Sequence, residues 1–173
     1  LRIYWLACVG ANDDIDETEA QMSEAKFDSY TSSLEYLFRC GDPKAAEKHE
    51  EASNVRLIQN IVAAIGRDDL ALVSEMLAED VKLEIRGTDG LPFIRYANGR
   101  EQMLDAIIVN FSSLQNQRPI VESVVAQGDT VIITMEEEGE VRATGKKYRI
   151  KCVQRFVIKD GKLALLEEQG TPV

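Results

Sequence analysis

Two side chains near the end of the chain carry its best candidate chemistry, the amide of Gln154 and the carboxylate of Glu167. They lie in residues 145–168, GKKYRIKCVQRFVIKDGKLALLEE, which read as a long strand, a two-residue turn at Asp160 and Gly161, and a returning strand. Asp-Gly between two apolar runs is a strong hairpin signal. If Lys159 pairs with Lys162, then Ile158 faces Leu163, Phe156 faces Leu165 and Gln154 faces Glu167. That row is apolar for two pairs and then polar, the pattern of a core opening into a pocket. A carboxylate in such a pocket has a raised pKa and can act as a base. An amide beside it can donate to a developing oxyanion but cannot itself exchange protons. The plain alternative is that the strand end is wet and Glu167 sits at the rim.

Few other residues offer chemistry. His49 is the one histidine among 173 residues, which excludes multi-histidine metal sites and disfavours a Ser-His-Asp arrangement. Cys8, Cys40 and Cys152 are odd in number and at no metal or redox spacing, which fits a reducing, cytoplasmic compartment. No metal and no cofactor is therefore expected. Cys152 is predicted inward among apolar neighbours, a small buried hydrophobe rather than a nucleophile. A formal net charge of −10 disfavours nucleic acid and anionic membranes as partners. No run is long enough to span a bilayer. The short apolar run over residues 3–9 reads as a tail or upstream extension.

The positioning elements follow from periodicity. Residues 12–24 are an acidic, solvated segment. Phe27, Tyr30, Leu34, Leu37 and Phe38 recur at helical spacing, an extra N-terminal helix. Asp42 and Pro43 start a helix that runs to Ile65, amphipathic through Val55, Ile58, Ile61, Val62 and Ile65, with His49 on its charged front half. A short helix follows, with Leu70, Val73, Met76 and Leu77 on one side. Val81, Leu83 and Ile85 alternate with polar residues as a strand, residues 87–99 read as a loop, and Met103, Leu104, Ile107, Ile108, Phe111 and Leu114 form the stripe of a third helix. Four strands close the chain, over 120–127, 130–138, 148–159 and 163–169. Pairing Glu136 with Lys151 and Glu138 with Arg149 sets opposite charges across from each other and sends Val131, Ile133 and Met135 inward beside Phe156, Gln154 and Cys152.

Helix, helix, strand, helix and four antiparallel strands describe an α+β cone. From about residue 54 the chain resembles the nuclear transport factor 2-like superfamily, in its SnoaL-like and ketosteroid-isomerase-like branch. The resemblance is carried by VAAIGRDDLALVSEMLAEDVKLEI from Val62, LPFIRYANGREQMLDAI from Leu91, VVAQGDTVII from Val124 and TGKKYRIKCVQRFVIKDGKLALLEE from Thr144. It implies a cone-shaped curved antiparallel sheet packed on three helices over residues 51–173, the SnoaL-like domain; outside it, residues 1–24 read as a disordered or extended acidic segment and 25–50 as a helical extension. It also implies a conical pocket lined by Ile61, Ile85, Met135, Tyr148, Cys152 and Phe156, and a homodimer through the outer sheet face. The isomerases of this branch place a tyrosine, a carboxylate base and a protonated acid at positions that fall here on Ile61, Ile85 and Gln154. Those replacements cannot carry proton transfer, so Glu167 is the remaining candidate base. The resemblance implies a domain that binds a small, largely apolar ligand. The alternatives are an isomerase or cyclase acting on a carbonyl-containing cyclic or polyketide-like compound, and a dimeric interaction domain.

Overall fold

The computed structural model of the protein describes residues 45–173. The acidic segment, the helix expected over 27–38 and the Asp42–Pro43 start signal lie outside the described residues.

Helix α1 (Ala45–Gly66) buries Val55, Ile58, Ile61, Ala64 and Ile65, successive positions of one helical stripe. His49 is exposed on it. Asn54, although buried, donates its amide to the Gly128 carbonyl at 2.9 Å, and the Gly128 amide donates to Glu51 at 3.2 Å. These bonds fix the helix to the turn between two strands. Helix α2 (Leu70–Met76) is capped by Asp69, which accepts from the Leu72 amide at 3.0 Å. Strand β1 (Leu77–Arg86) follows directly, and a short strand β2 (Tyr96–Asn98) folds back on it. Helix α3 (Arg100–Ser112) buries Met103, Ala106 and Ile107. Strands β3 (Leu114–Gln127), β4 (Thr130–Val141), β5 (Lys146–Lys159) and β6 (Lys162–Pro172) complete the chain.

The six strands form one curved, unclosed sheet in the order β2-β1-β6-β5-β4-β3. All neighbours are antiparallel except β1 and β6, which are parallel, so the sheet is mixed rather than wholly antiparallel. Register shifts interrupt β1, β3 and β6, and irregularities of this kind bend a strand. The three helices cover the concave face. Val73, Leu77, Val81, Val131 and Leu163 are almost fully enclosed there. Each such side chain contributes about 1.5–3 kcal/mol of burial free energy.

The β4–β5 pairing places Glu136 opposite Lys151 and Glu138 opposite Arg149, as the charge pattern requires. Val131, Ile133 and Met135 accordingly face inward against Phe156, Gln154 and Cys152. Among the described residues no helix is long and apolar enough to cross a membrane.

Candidate functional site

The site begins at a one-residue irregularity in the β5–β6 hairpin. Lys159 pairs with Lys162 and Ile158 with Leu163, but Val157 then pairs with Leu165, which leaves Ala164 as an extra residue. Beyond this bulge Phe156 faces Leu166, Arg155 faces Glu167 and Gln154 faces Glu168. The expected partners, Leu165 for Phe156 and Glu167 for Gln154, are therefore each corrected by one position. A one-residue slip exchanges the two faces of a strand. Glu167 lies on the outer face, where Arg155 Nε donates to its carboxylate at 2.7 Å. That bond holds the Glu167 carboxyl below its usual pKa range, with the Arg155 charge adding to the effect. Glu168 points inward instead, and Leu166 packs onto the core.

Glu168 sits at the edge of a cavity of about 110 Å³ between the sheet and α3. Its apolar wall includes Ile85, Phe93, Met103, Phe111 and Met135, while Gln117, Glu137, Gln154 and Glu168 supply polar groups. Gln154 Nε2 donates to Glu168 Oε2 at 2.7 Å, and the Cys152 thiol lies 4.0 Å from Oε1. A second cluster surrounds Glu137, whose Oε1 accepts from the Tyr148 hydroxyl and, at 3.3 Å, from Gln117 Nε2. Asn110 also lines the cavity, but its amide is engaged with the backbone of Ile94, accepting at 2.7 Å and donating at 3.0 Å. That pair ties α3 to the segment preceding β2.

Protein packing strips water from both carboxyls and raises their pKa values. For Glu168 burial leads, the Gln154 bond opposes it and the Glu137 charge adds to it. For Glu137 burial leads, and the bonds from Tyr148 and Gln117 oppose it. Burial, followed by the nearby charges of Glu168 and Glu137, pushes the Cys152 thiol well up. Cys152 is thus held as a neutral thiol rather than a nucleophile.

Residues 58–166, more than half of the chain, match the family model of the SnoaL-like domain. The chain belongs to the SnoaL-like domain family. No curated protein matches it in sequence. Among solved structures, an NTF2-like protein from Burkholderia xenovorans LB400 aligns with a TM-score of 0.61 at 21% identity, covering 69% of this chain and 90% of that one. A protein from Jannaschia sp. CCS1, assigned as a SnoaL-like polyketide cyclase, gives 0.62 at 16%, covering 75% and 91%. An M. tuberculosis LEH-like epoxide hydrolase gives 0.54 at 13%, covering 70% and 84%. At these identities the likenesses establish the fold alone.

Within this SnoaL-like domain, Ile85, Met135, Cys152 and Gln154 line the cavity. Phe156 instead lines a smaller recess of about 40 Å³ beneath α1, which also reaches Gln154. Ile61 is packed into the core, and Tyr148 stands behind the cavity wall, packed against the cluster of Met135, Ile150 and Cys152 and donating its hydroxyl to Glu137. Glu168 lies between Gln154 on β5 and Ile85 on β1, its partners on either side. Among the described residues, no group of three or more His, Cys, Asp or Glu is arranged to hold a metal ion.

Sequence reasoning missed Glu137, Glu168 and Gln117. Glu137 continues the inward alternation of Val131, Ile133 and Met135 by one more step, so the signal was present. Gln117 turns inward beside Asn116, a left-handed residue with φ 55° within a register shift, in a stretch that reads as lying before the strand.

Proposed function

We propose that this SnoaL-like domain binds a compact, largely apolar small molecule, anchored at the Gln154–Glu168 pair. The observation that carries this reading is an amide and a carboxyl 2.7 Å apart at the edge of an otherwise mostly apolar cavity. Polar groups placed in this way fix a ligand's orientation, while the walls supply burial. A cavity of about 110 Å³ sets a ceiling of about six heavy atoms on the ligand, since a larger one of about 150 Å³ accepts benzene. The test is a panel of small cyclic alcohols, ketones and amines followed by ligand-observed NMR. Saturable binding that disappears in Cys152→Phe, which fills the cavity, is expected. Binding that survives Cys152→Phe, or no binding at all, overturns the proposal.

A second reading has Glu168, in place of Glu167, as the base of an isomerase or cyclase acting on a carbonyl-containing cyclic compound. The raised pKa of Glu168 favours it. Against it, the donors Gln154, Gln117 and Tyr148 are already directed at carboxylates, which leaves little to hold an enolate. Turnover that Glu168→Gln abolishes without loss of binding would establish this reading.

The domain is further proposed to form a homodimer through its outer sheet face, where Ile120, Val125 and Val153 are exposed. Sedimentation analysis of the wild type and of Val153→Lys tests this, a shift to monomer in the variant being expected. The buried free thiol of Cys152 and the acidic charge balance support a cytoplasmic protein without nucleic-acid partners.

A further inference from the structure

The charges of this sheet are sorted by face. On the outer face Arg149 pairs with Glu136, Lys151 with Glu122, Arg155 with Glu167 and Arg86 with Glu84. On the inner face, among the described residues lining the cavity, there are two carboxyls, Glu137 and Glu168, and no lysine, arginine or histidine. The neutral donors do not balance them. Gln154 and Gln117 each give one N–H, Tyr148 gives its hydroxyl to Glu137, and Glu168 Oε1 meets a thiol 4.0 Å away. Asn110 is engaged with Ile94. A ligand carboxylate or phosphate would thus meet two acids and no cation. A ligand with an N⁺–H would supply a positive charge and would offer Glu168 Oε1 a stronger donor than the Cys152 thiol. Phe93 and Phe111 lie on the same wall, and aromatic rings tolerate a cation better than an aliphatic lining does.

Resting on the binding reading above, we infer that the cavity selects a compact protonated amine: an apolar ring or short branched body of at most about six heavy atoms, its ammonium group directed at Glu168 and its carbon body against Phe93, Phe111 and Met135. The two acids give the site its sign, and the apolar wall gives it its size limit.

The test compares three probes of nearly equal size at neutral pH by isothermal titration and ligand-observed NMR. Piperidine carries a positive charge, tetrahydropyran is its neutral counterpart and butyrate is an anion. On the wild-type protein, piperidine is expected to bind about tenfold or more tighter than tetrahydropyran, with butyrate not binding. In Glu168→Gln the piperidine preference should fall to near parity while tetrahydropyran binding persists. Glu137→Gln serves as a second variant, in which a smaller loss of preference is expected. If tetrahydropyran binds as well as piperidine to the wild type, the cation inference fails and the pocket reading stands. If none of the three binds, both fall.

Discussion

Gln154 donates its amide to Glu168 across neighbouring strands at 2.7 Å, and it can do so only because Ala164 bulges out of the hairpin. Without that extra residue Glu167 would occupy the inner position and Glu168 would lie outside. Which of two adjacent acids faces the cavity is thus decided about four residues earlier, by backbone geometry rather than by either side chain.

Burial raises the pKa of Glu168 and of Glu137 above the ordinary 4.5. For carboxyls raised in this way, the folded chain keeps protons that the unfolded chain releases. Their stabilising contribution is complete below the ordinary value and is lost as pH climbs through the raised ones. The stability difference between wild type and Glu168→Gln should therefore move in favour of the variant as pH rises. Between pH 4 and pH 8 the melting-temperature difference is expected to shift toward the variant, by about 2–4 °C for each kcal/mol of stability lost through this linkage. Urea or thermal denaturation from pH 4 to 8 measures this, and a pH-independent difference would refute it.

Glu167 predicts the opposite pattern. Its partner Arg155 is on the outer face, with both side chains substantially exposed. Such pairs contribute about 0–1 kcal/mol and weaken in salt. Glu167→Gln should shift the denaturation midpoint little and leave probe binding in the cavity unchanged. A loss of binding as large as that of Glu168→Gln would contradict the outward placement.

Tyr148 and Gly139 form the third case. They are cross-strand partners, and a Cβ on Gly139 would come within 2.8 Å of the Tyr148 hydroxyl oxygen. The tyrosine lies over the glycine in order to reach Glu137. Gly139→Ala must displace the ring, and Tyr148→Phe removes the bond while keeping the ring. Both should cost about 1–3 kcal/mol. The double variant should cost less than the sum, because both remove the same contact. Denaturant titration of the two single variants and the double gives the coupling directly.

Cys152 supplies the fourth. A buried thiol with a raised pKa should resist alkylation in the folded protein. Peptide mapping after iodoacetamide treatment should find Cys152 modified at the rate of unfolding, and at the free-thiol rate in denaturant. Rapid labelling under native conditions would mean that the cavity opens widely.

Much of the architecture was legible in the chain. The helical stripe from Val55 to Ile65, the Asp160–Gly161 turn and the opposed charges of Glu136 with Lys151 each specify one geometry. The bulge was not legible. Leu163, Ala164, Leu165 and Leu166 put apolar residues on both faces of β6, so either register buries leucine and alternation cannot choose between them. Strand β2 was hidden because three residues are too few for a periodic signal, and the β1–β6 pairing because it joins segments about eighty residues apart.

The place of β6 bears on how the domain assembles. It is the last of the six strands to be synthesised, yet it lies between β1 and β5 and hydrogen-bonds to both. Until it emerges from the ribosome, two strand edges stand open, and an open edge invites pairing with other chains. Closure then requires contacts between distant parts of the chain, which slows folding. Nascent chains stalled before Leu163 should accordingly be the species that chaperones hold and proteases clear.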